Sequence, residues 1–150
     1  MSHVTTIKIE IKDLEALRLA CEKIGLVFKE GQKTYKWFGR HVGDYPIPAG
    51  FTKNDLGRCD HALAVKGAKS NTYEIGVVAK DGAYVLMWDF WAGGYGLEAV
   101  VGKDCKTLKQ AYTQTVALKE AKRFAQAEGW SVSEDYDDET DETVIRLRRY

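Results

Sequence analysis

The sequence predicts a single α+β domain in which two helices pack on one face of a largely antiparallel sheet. The strongest observation is the stretch from Tyr73 to Trp91, where Asp81-Gly82 separates two runs of strand-forming residues, a pattern typical of a tight β-hairpin. A second observation is the strict alternation of residues 5–11, which indicates a half-buried strand. The third is that two segments carry apolar residues at helical spacing.

A two-residue turn at Asp81-Gly82 fixes the register of the central hairpin. Val78 then faces Val85, and the apolar residues of both strands share one face that has to be buried. The opposite face is mixed. The apolar face consists of Tyr73, Ile75, Val77, Ala79, Tyr84, Leu86, Trp88 and Phe90.

Helix-capping residues place the two helices. Asp13 is suited to cap the first helix and Gly25 to end it. A capping-box pattern at Thr107 and Gln110 begins the second helix, which Gly129 ends. In chain order, the predicted segments are residues 5–11 (strand), 13–25 (helix), 26–30 and 34–38 (hairpin), 61–66 (strand), 73–91 (central hairpin), 107–129 (helix), and 131–136 with 143–149 (hairpin).

One segment, residues 39–60, follows no regular pattern, which indicates an insertion-like loop within the single domain of residues 1–150. It contains both prolines of the chain. A structureless span of about twenty residues is uncommon in a compact domain and is usually functional or disordered. Its apolar residues Tyr45, Ile47 and Phe51 predict that it packs on another part of the protein.

Composition argues against several classes of function. Lysine plus arginine and aspartate plus glutamate both total 22, so no overall field attracts the protein to nucleic acid or to a membrane. No apolar run approaches the ~20 residues of a membrane span, and no signal-peptide pattern is present. The three cysteines are odd in number and far apart, which predicts reduced thiols in a cytoplasmic protein.

Two acidic residues of the central hairpin are candidates for chemistry. The predicted register sets Glu74 directly opposite Asp89, and facing carboxylates cost stability. Such a pair can share a proton or bind a cation, which predicts an acid/base or metal-dependent site. The alternative is that both side chains point to solvent or are neutralised by a nearby basic residue.

Metal and nucleotide motifs are weak in this sequence. Cys59, His61, His41 and Asp44 include good zinc ligands, but structural zinc sites usually show paired spacing, and here a single C-x-H occurs. The glycines at 93–96 and Gly102-Lys103 lack the spacing and the hydroxyl residue of a phosphate loop, and they predict a flexible connection. We therefore predict no metal, no cofactor and no catalytic residue.

Two charged stretches are candidates for binding macromolecules. Residues 134–142 hold seven carboxylates, which indicates a solvated hairpin tip or a docking surface for a basic partner. Residues 33–40 interleave basic and aromatic side chains, as a nucleic-acid site does. Because the net charge is zero, nucleic acid is the weaker candidate. The interleaved residues are Lys33, Tyr35, Lys36, Trp37 and Arg40.

Three segments resemble a known family. They are MSHVTTIKIEIKDLEAL at the beginning, YEIGVVAKDGAYVLMWDFWAG in the centre and LKQAYTQTVALKEAKRFAQAEGW in the second helix. Together, in this order, they resemble the uncharacterised family of hypothetical chloroplast reading frame thirty-five, which occurs in cyanobacteria, plastids, other bacteria and phages. The family's Met-Ser-His matches Met1-Ser2-His3, whereas its Asp-Trp-Trp appears as Asp89-Phe90-Trp91. Residues 44–58 are an insertion relative to its shorter members.

The resemblance implies a small α+β protein and supplies no reaction or cofactor. Some members are encoded near ring-forming ATPases, so it implies an adaptor role with such an ATPase as the partner.

Aromatic residues without a coherent catalytic set predict a small, non-enzymatic, cytoplasmic binding or adaptor protein that acts through protein–protein contacts. A metal-dependent or acid/base site on Glu74 and Asp89, or a weak nucleic-acid-binding module, is the alternative. The predicted partner-binding residues are Tyr45, Ile47, Phe51, Trp91 and Tyr95.

Overall fold

Seven strands and three α-helices make up the described part of the chain, residues 3–137 and 142–149 of a computed structural model. In chain order they are β1 (Val4–Ile11), α1 (Leu14–Ile24), β2 (Leu26–Lys29), β3 (His61–Val65), β4 (Ile75–Lys80), β5 (Ala83–Asp89), α2 (Leu97–Val101), α3 (Lys106–Glu128), β6 (Trp130–Asp137) and β7 (Glu142–Arg149). The first five strands form an antiparallel sheet in the order β1-β5-β4-β3-β2, and β6 pairs with β7 separately. The predicted α+β class is confirmed.

The hairpin of β4 and β5 has the predicted register. Val78 pairs with Val85, and the ladder runs from the turn as far as Gly76 and Met87. Asp81 and Gly82 have φ of 52° and 80°, the left-handed values that a tight two-residue turn requires. The turn therefore places every apolar residue of the two strands on its predicted face.

Helices α1 and α3 pack against each other and cover the apolar face of the sheet. Asp13 caps α1 as predicted, because its Oδ1 accepts a hydrogen bond from the Ala16 amide at 3.0 Å. Its Oδ2 accepts one from Lys119 Nζ on α3 at 2.7 Å. These two bonds, the one from Lys119 above all, hold the pKa of Asp13 below its usual value. Gly25 ends α1 with φ of 88°.

The predicted hairpin of residues 26–30 with 34–38 is wrong. Strand β2 pairs with β3 instead, and Thr34 makes only an isolated bridge to Arg58. The backbone of the 34–38 segment is held by side chains of the sheet, since the Lys36 amide donates to Glu74 and the Phe38 amide donates to Asp89. Tertiary hydrogen bonds thus override a local strand preference.

The second face of the sheet is covered by the chain between β2 and β3. Its buried residues form a smaller core with residues of the sheet: Val4, Tyr35, Leu56, Cys59, Ala62 and Met87. The ring of Tyr35 lies directly on Gly76, where a Cβ would come within 2.3 Å of the ring. Gly76 therefore makes room for the segment that closes this face.

We expect Gly76→Ala to destabilise the protein by about 1–3 kcal/mol, the usual cost of overpacking a filled core. The reason is the contact with the Tyr35 ring, because the backbone of Gly76 is not in the left-handed region. Urea unfolding followed by circular dichroism measures the change.

The matched control is the double variant Tyr35→Ala with Gly76→Ala. Since removal of the ring also removes the clash, the double variant should lose less stability than the sum of the two single variants. Additive losses would contradict the proposed contact.

Candidate partner-binding site

The two acidic residues of the central hairpin are both buried, with Glu74 4% and Asp89 0% exposed. Each carboxylate binds other parts of the chain. Glu74 Oε1 accepts hydrogen bonds from the Lys36 amide at 3.0 Å and from Gln32 Nε2 at 3.1 Å, and its Oε2 lies 3.6 Å from Lys29 Nζ. Through both oxygens, Glu74 therefore holds the end of β2 and the residues that follow it next to the start of β4.

Asp89 joins three separate stretches of backbone at the end of β5. Its Oδ1 accepts hydrogen bonds from the amides of His3 and Trp91, both at 3.1 Å. Its Oδ2 accepts one from the amide of Phe38 at 3.1 Å. A buried carboxylate that accepts three amide bonds is satisfied as an anion. The start of β1, the segment after β2 and the turn after β5 are therefore held together by one side chain.

An aromatic cluster surrounds this junction. The His3 ring centroid lies 5.1 Å from that of Tyr45, 5.3 Å from that of Phe90 and 5.0 Å from that of Trp91. Tyr45 packs edge-on against Phe90 at 5.2 Å. His3 Nε2 also lies 3.2 Å from Asp44 Oδ2. Two of these contacts, His3 with Trp91 and Tyr45 with Phe90, are edge-to-face, a geometry that aromatic pairs prefer.

A cleft of about 610 Å³ opens beside the aromatic cluster, on the helix side of β1. Its floor is apolar, and charged residues of both signs form its rim. It is lined by Thr5, Thr6, Ile7, Lys8, Tyr45, Trp88, Phe90, Glu98, Lys103, Asp104 and Lys109. Its volume falls within the range of about 300–1,000 Å³ that is common for binding sites of small ligands.

The cleft runs along an edge of the main sheet. In the described part of the chain no strand pairs with the outer side of β1. The Phe90 amide donates to the His3 carbonyl, so residues 3, 5 and 7 direct their backbone groups towards β5. By the same alternation, Val4 and Thr6 direct theirs outward. This edge can therefore accept an added strand.

The turn that follows β5 is left-handed. Residues 92–95 have φ between 51° and 64°, and two of them, Ala92 and Tyr95, are not glycine. Hydrogen bonds hold this strained backbone: the Tyr73 amide donates to Gly94 O, and Thr72 Oγ1 donates to Tyr95 O, both at 2.9 Å. Where a flexible connection was predicted at 93–96, the structure has a hydrogen-bonded turn.

The five predicted partner-binding residues do not lie together. The structure brings Tyr45 and Trp91 into the aromatic cluster, where Trp91 is 39% exposed. Tyr95 packs on Tyr73 at 5.1 Å and is 43% exposed. Phe51 belongs to the second core, with Lys80 Nζ 4.1 Å from its ring centroid. Ile47 is half-buried.

Sequence reasoning missed His3 as a member of the site, because His3 was named only in a family motif. Phe90 was predicted on the apolar face of the hairpin and in the Asp89-Phe90-Trp91 motif, and its position between Asp89 and Trp91 was the signal for it. For His3 no local signal existed, because its neighbours in the cluster are brought by segments far along the chain.

The predicted metal-ligand candidates are also dispersed. Cys59 Sγ donates to the Gln32 carbonyl, and His61 Nδ1 accepts a hydrogen bond from the Gly31 amide at 2.9 Å. Among residues 3–137 and 142–149, no group of three or more histidine, cysteine or acidic side chains is arranged to hold a metal.

Of the two predicted charged stretches, the structure describes segment 33–40 in full and the acidic run 134–142 in part. Tyr35 is 3% exposed and Trp37 is half-buried, so these two aromatic side chains of segment 33–40 pack in or against the second core. The acidic run extends from the end of β6 to the start of β7, and its residues 138–141 lie outside the described residues.

Comparisons of the chain with models of protein families, with curated protein sequences and with solved structures found no significant match. No described helix combines the length and the apolar character that a membrane span requires.

We expect Asp89→Asn to destabilise the protein by about 2–3 kcal/mol, because an amide has one acceptor oxygen for three buried amide donors. Thermal and urea unfolding measure the loss.

The matched control is Asp81→Asn, the same chemical change at the exposed turn of the central hairpin. Asparagine tolerates the left-handed backbone there, so stability should change by less than about 0.5 kcal/mol. If Asp89→Asn were as stable as Asp81→Asn, the role of Asp89 as a backbone anchor would be refuted.

The three cysteines are expected to be unreactive in the folded protein. Burial raises the pKa of Cys21 and Cys105 to about 12 and that of Cys59 to about 11. Near neutral pH the thiolate, which is the reactive form, is therefore scarce. Ellman's reagent should react slowly with native protein and titrate all three thiols in denaturant. Rapid reaction of one native thiol would contradict this assignment.

Proposed function

We propose that the protein is a small, non-enzymatic, cytoplasmic binding or adaptor protein that engages a protein partner at the cleft beside β1. The observation that carries this proposal is the position of Trp91. Its exposed ring packs on His3 at the junction held by Asp89, next to a cleft lined by Tyr45 and Phe90. Exposed aromatic residues on an ordered backbone are typical anchors of protein interfaces.

The occupant that fits this cleft is an extended peptide segment of the partner. The outward backbone groups of Val4 and Thr6 supply the hydrogen bonds of an added strand, and the apolar floor accepts an alternate side chain. The charged residues on the rim are of both signs: Glu98 and Asp104 are acidic, and Lys8, Lys103 and Lys109 are basic. This mixed rim favours a partner anchored by an apolar side chain rather than by one sign of charge.

The alternative of an acid/base site on Glu74 and Asp89 gains no support from the surroundings of these residues. Both carboxylates are engaged by backbone amides or by a lysine, and neither is open to solvent.

The three cysteine thiols are buried as well. Buried, unpaired thiols agree with the proposed cytoplasmic location.

The family resemblance adds a class of partner to the proposal. It implies an adaptor that acts beside a ring-forming ATPase, and such an ATPase is the first candidate for the partner.

Site-specific photocrosslinking in the native host tests the proposal. A benzoylphenylalanine at position 91 replaces one exposed aromatic side chain by another, in the aromatic cluster that borders the cleft. We expect it to yield one discrete crosslinked protein, which mass spectrometry identifies. The purified partner should then bind the wild-type protein and lose at least about tenfold in affinity with Trp91→Ser, the typical effect of removing an interface anchor.

Phe124 supplies the matched control, since it is a 47% exposed aromatic residue of α3 away from the cleft. The same photocrosslinker at position 124 should not capture the protein, and Phe124→Ser should not weaken binding. Equal capture at the two positions, or binding that Trp91→Ser leaves intact, would refute the cleft as the site.

A further inference from the structure

A second cavity, of about 310 Å³, lies at the opposite edge of the main sheet from β1. It is bounded by β2, the end of β3 and the turn that leads to β4. Four lysines line it, two from the strand and segment around β2 and two from the turn: Lys29, Lys36, Lys66 and Lys69.

Two of these lysines are held in place. Lys36 Nζ donates to the Ser70 carbonyl at 3.3 Å, and Lys29 Nζ lies 3.6 Å from Glu74 Oε2. Two hydrogen bonds join Lys36 and Glu74. The Lys36 amide donates to Glu74 Oε1, and the Glu74 amide donates to the Lys36 carbonyl. Glu74 thus positions Lys29 and Lys36 in the wall of the cavity.

The charge of the cavity is unbalanced. Glu74 is the one acidic residue among its lining residues, against four lysines, in a chain whose net charge is zero. Among the described residues, Lys66 and Lys69 form no ion pair. Like charges gathered around one cavity repel one another, and a bound anion of several charges relieves that repulsion.

We propose that this cavity binds a small polyanion that carries at least two phosphate groups. Lysine ammonium groups are point charges that bind phosphate without requiring a fixed approach direction. The volume lies at the lower end of the range for small-ligand sites, about 300 Å³, which suits a di- or triphosphate group rather than a folded macromolecule. Since this site and the β1 cleft occupy opposite edges of the sheet, the proposal is independent of the function proposed above.

Isothermal titration calorimetry with inorganic tripolyphosphate tests this proposal. We expect binding at one site, with an affinity that falls as salt rises. Lys66→Gln with Lys69→Gln should weaken it about tenfold or more, because two charge pairs are lost. Both side chains are exposed, so the double variant should retain the melting temperature of the wild type.

The matched control is Lys23→Gln with Lys53→Gln, which removes the same charge from exposed positions outside the cavity. It should bind tripolyphosphate as the wild type does. Absence of binding to the wild type, or equal weakening by both double variants, would overturn the proposal. So would tight binding of a single-stranded oligonucleotide that tripolyphosphate fails to displace, since the site would then be one for nucleic acid.

Discussion

The carboxylate of Asp89 is the constraint on which the candidate site depends. It is fully buried and accepts backbone hydrogen bonds from His3, Phe38 and Trp91. These residues belong to the start of β1, to the segment after β2 and to the turn after β5. A charge can be buried at this point because three amides solvate it, and its burial in turn fixes where the three segments lie.

The main sheet is covered on both faces, by helices on one and by the chain between β2 and β3 on the other. The second cover is irregular, and side chains of the sheet hold it: Glu74 binds the Lys36 amide, and Gly76 leaves space for the Tyr35 ring. Leu56 and Cys59 are buried in the second core, so the segment from residue 39 to 60 is part of the core structure, and the same segment carries Tyr45 to the cleft. Removal of that segment would expose the second core as well as alter the site.

Much of the fold could be predicted from local patterns. Asp81-Gly82 determined the register of the central hairpin, and Asp13 and Gly25 marked the ends of α1, because each of these features acts over a few residues. Segment 34–38 could not be placed, since its position depends on carboxylates about forty to fifty residues away. The same limit applies to the site. Tyr45 and Trp91 were identified by residue type, but the contact of both with His3 arises only in three dimensions.

The left-handed turn after β5 determines how a partner would meet this surface. Alanine and tyrosine at positions 92 and 95 adopt a backbone that costs about 1–2 kcal/mol each, a strain that glycine would avoid. The hydrogen bonds that Tyr73 and Thr72 donate to this turn offset that conformational cost during folding. Conformational entropy of this loop is consequently lost before any encounter, so association of the proposed partner at Trp91 would resemble rigid docking more than coupled folding and binding.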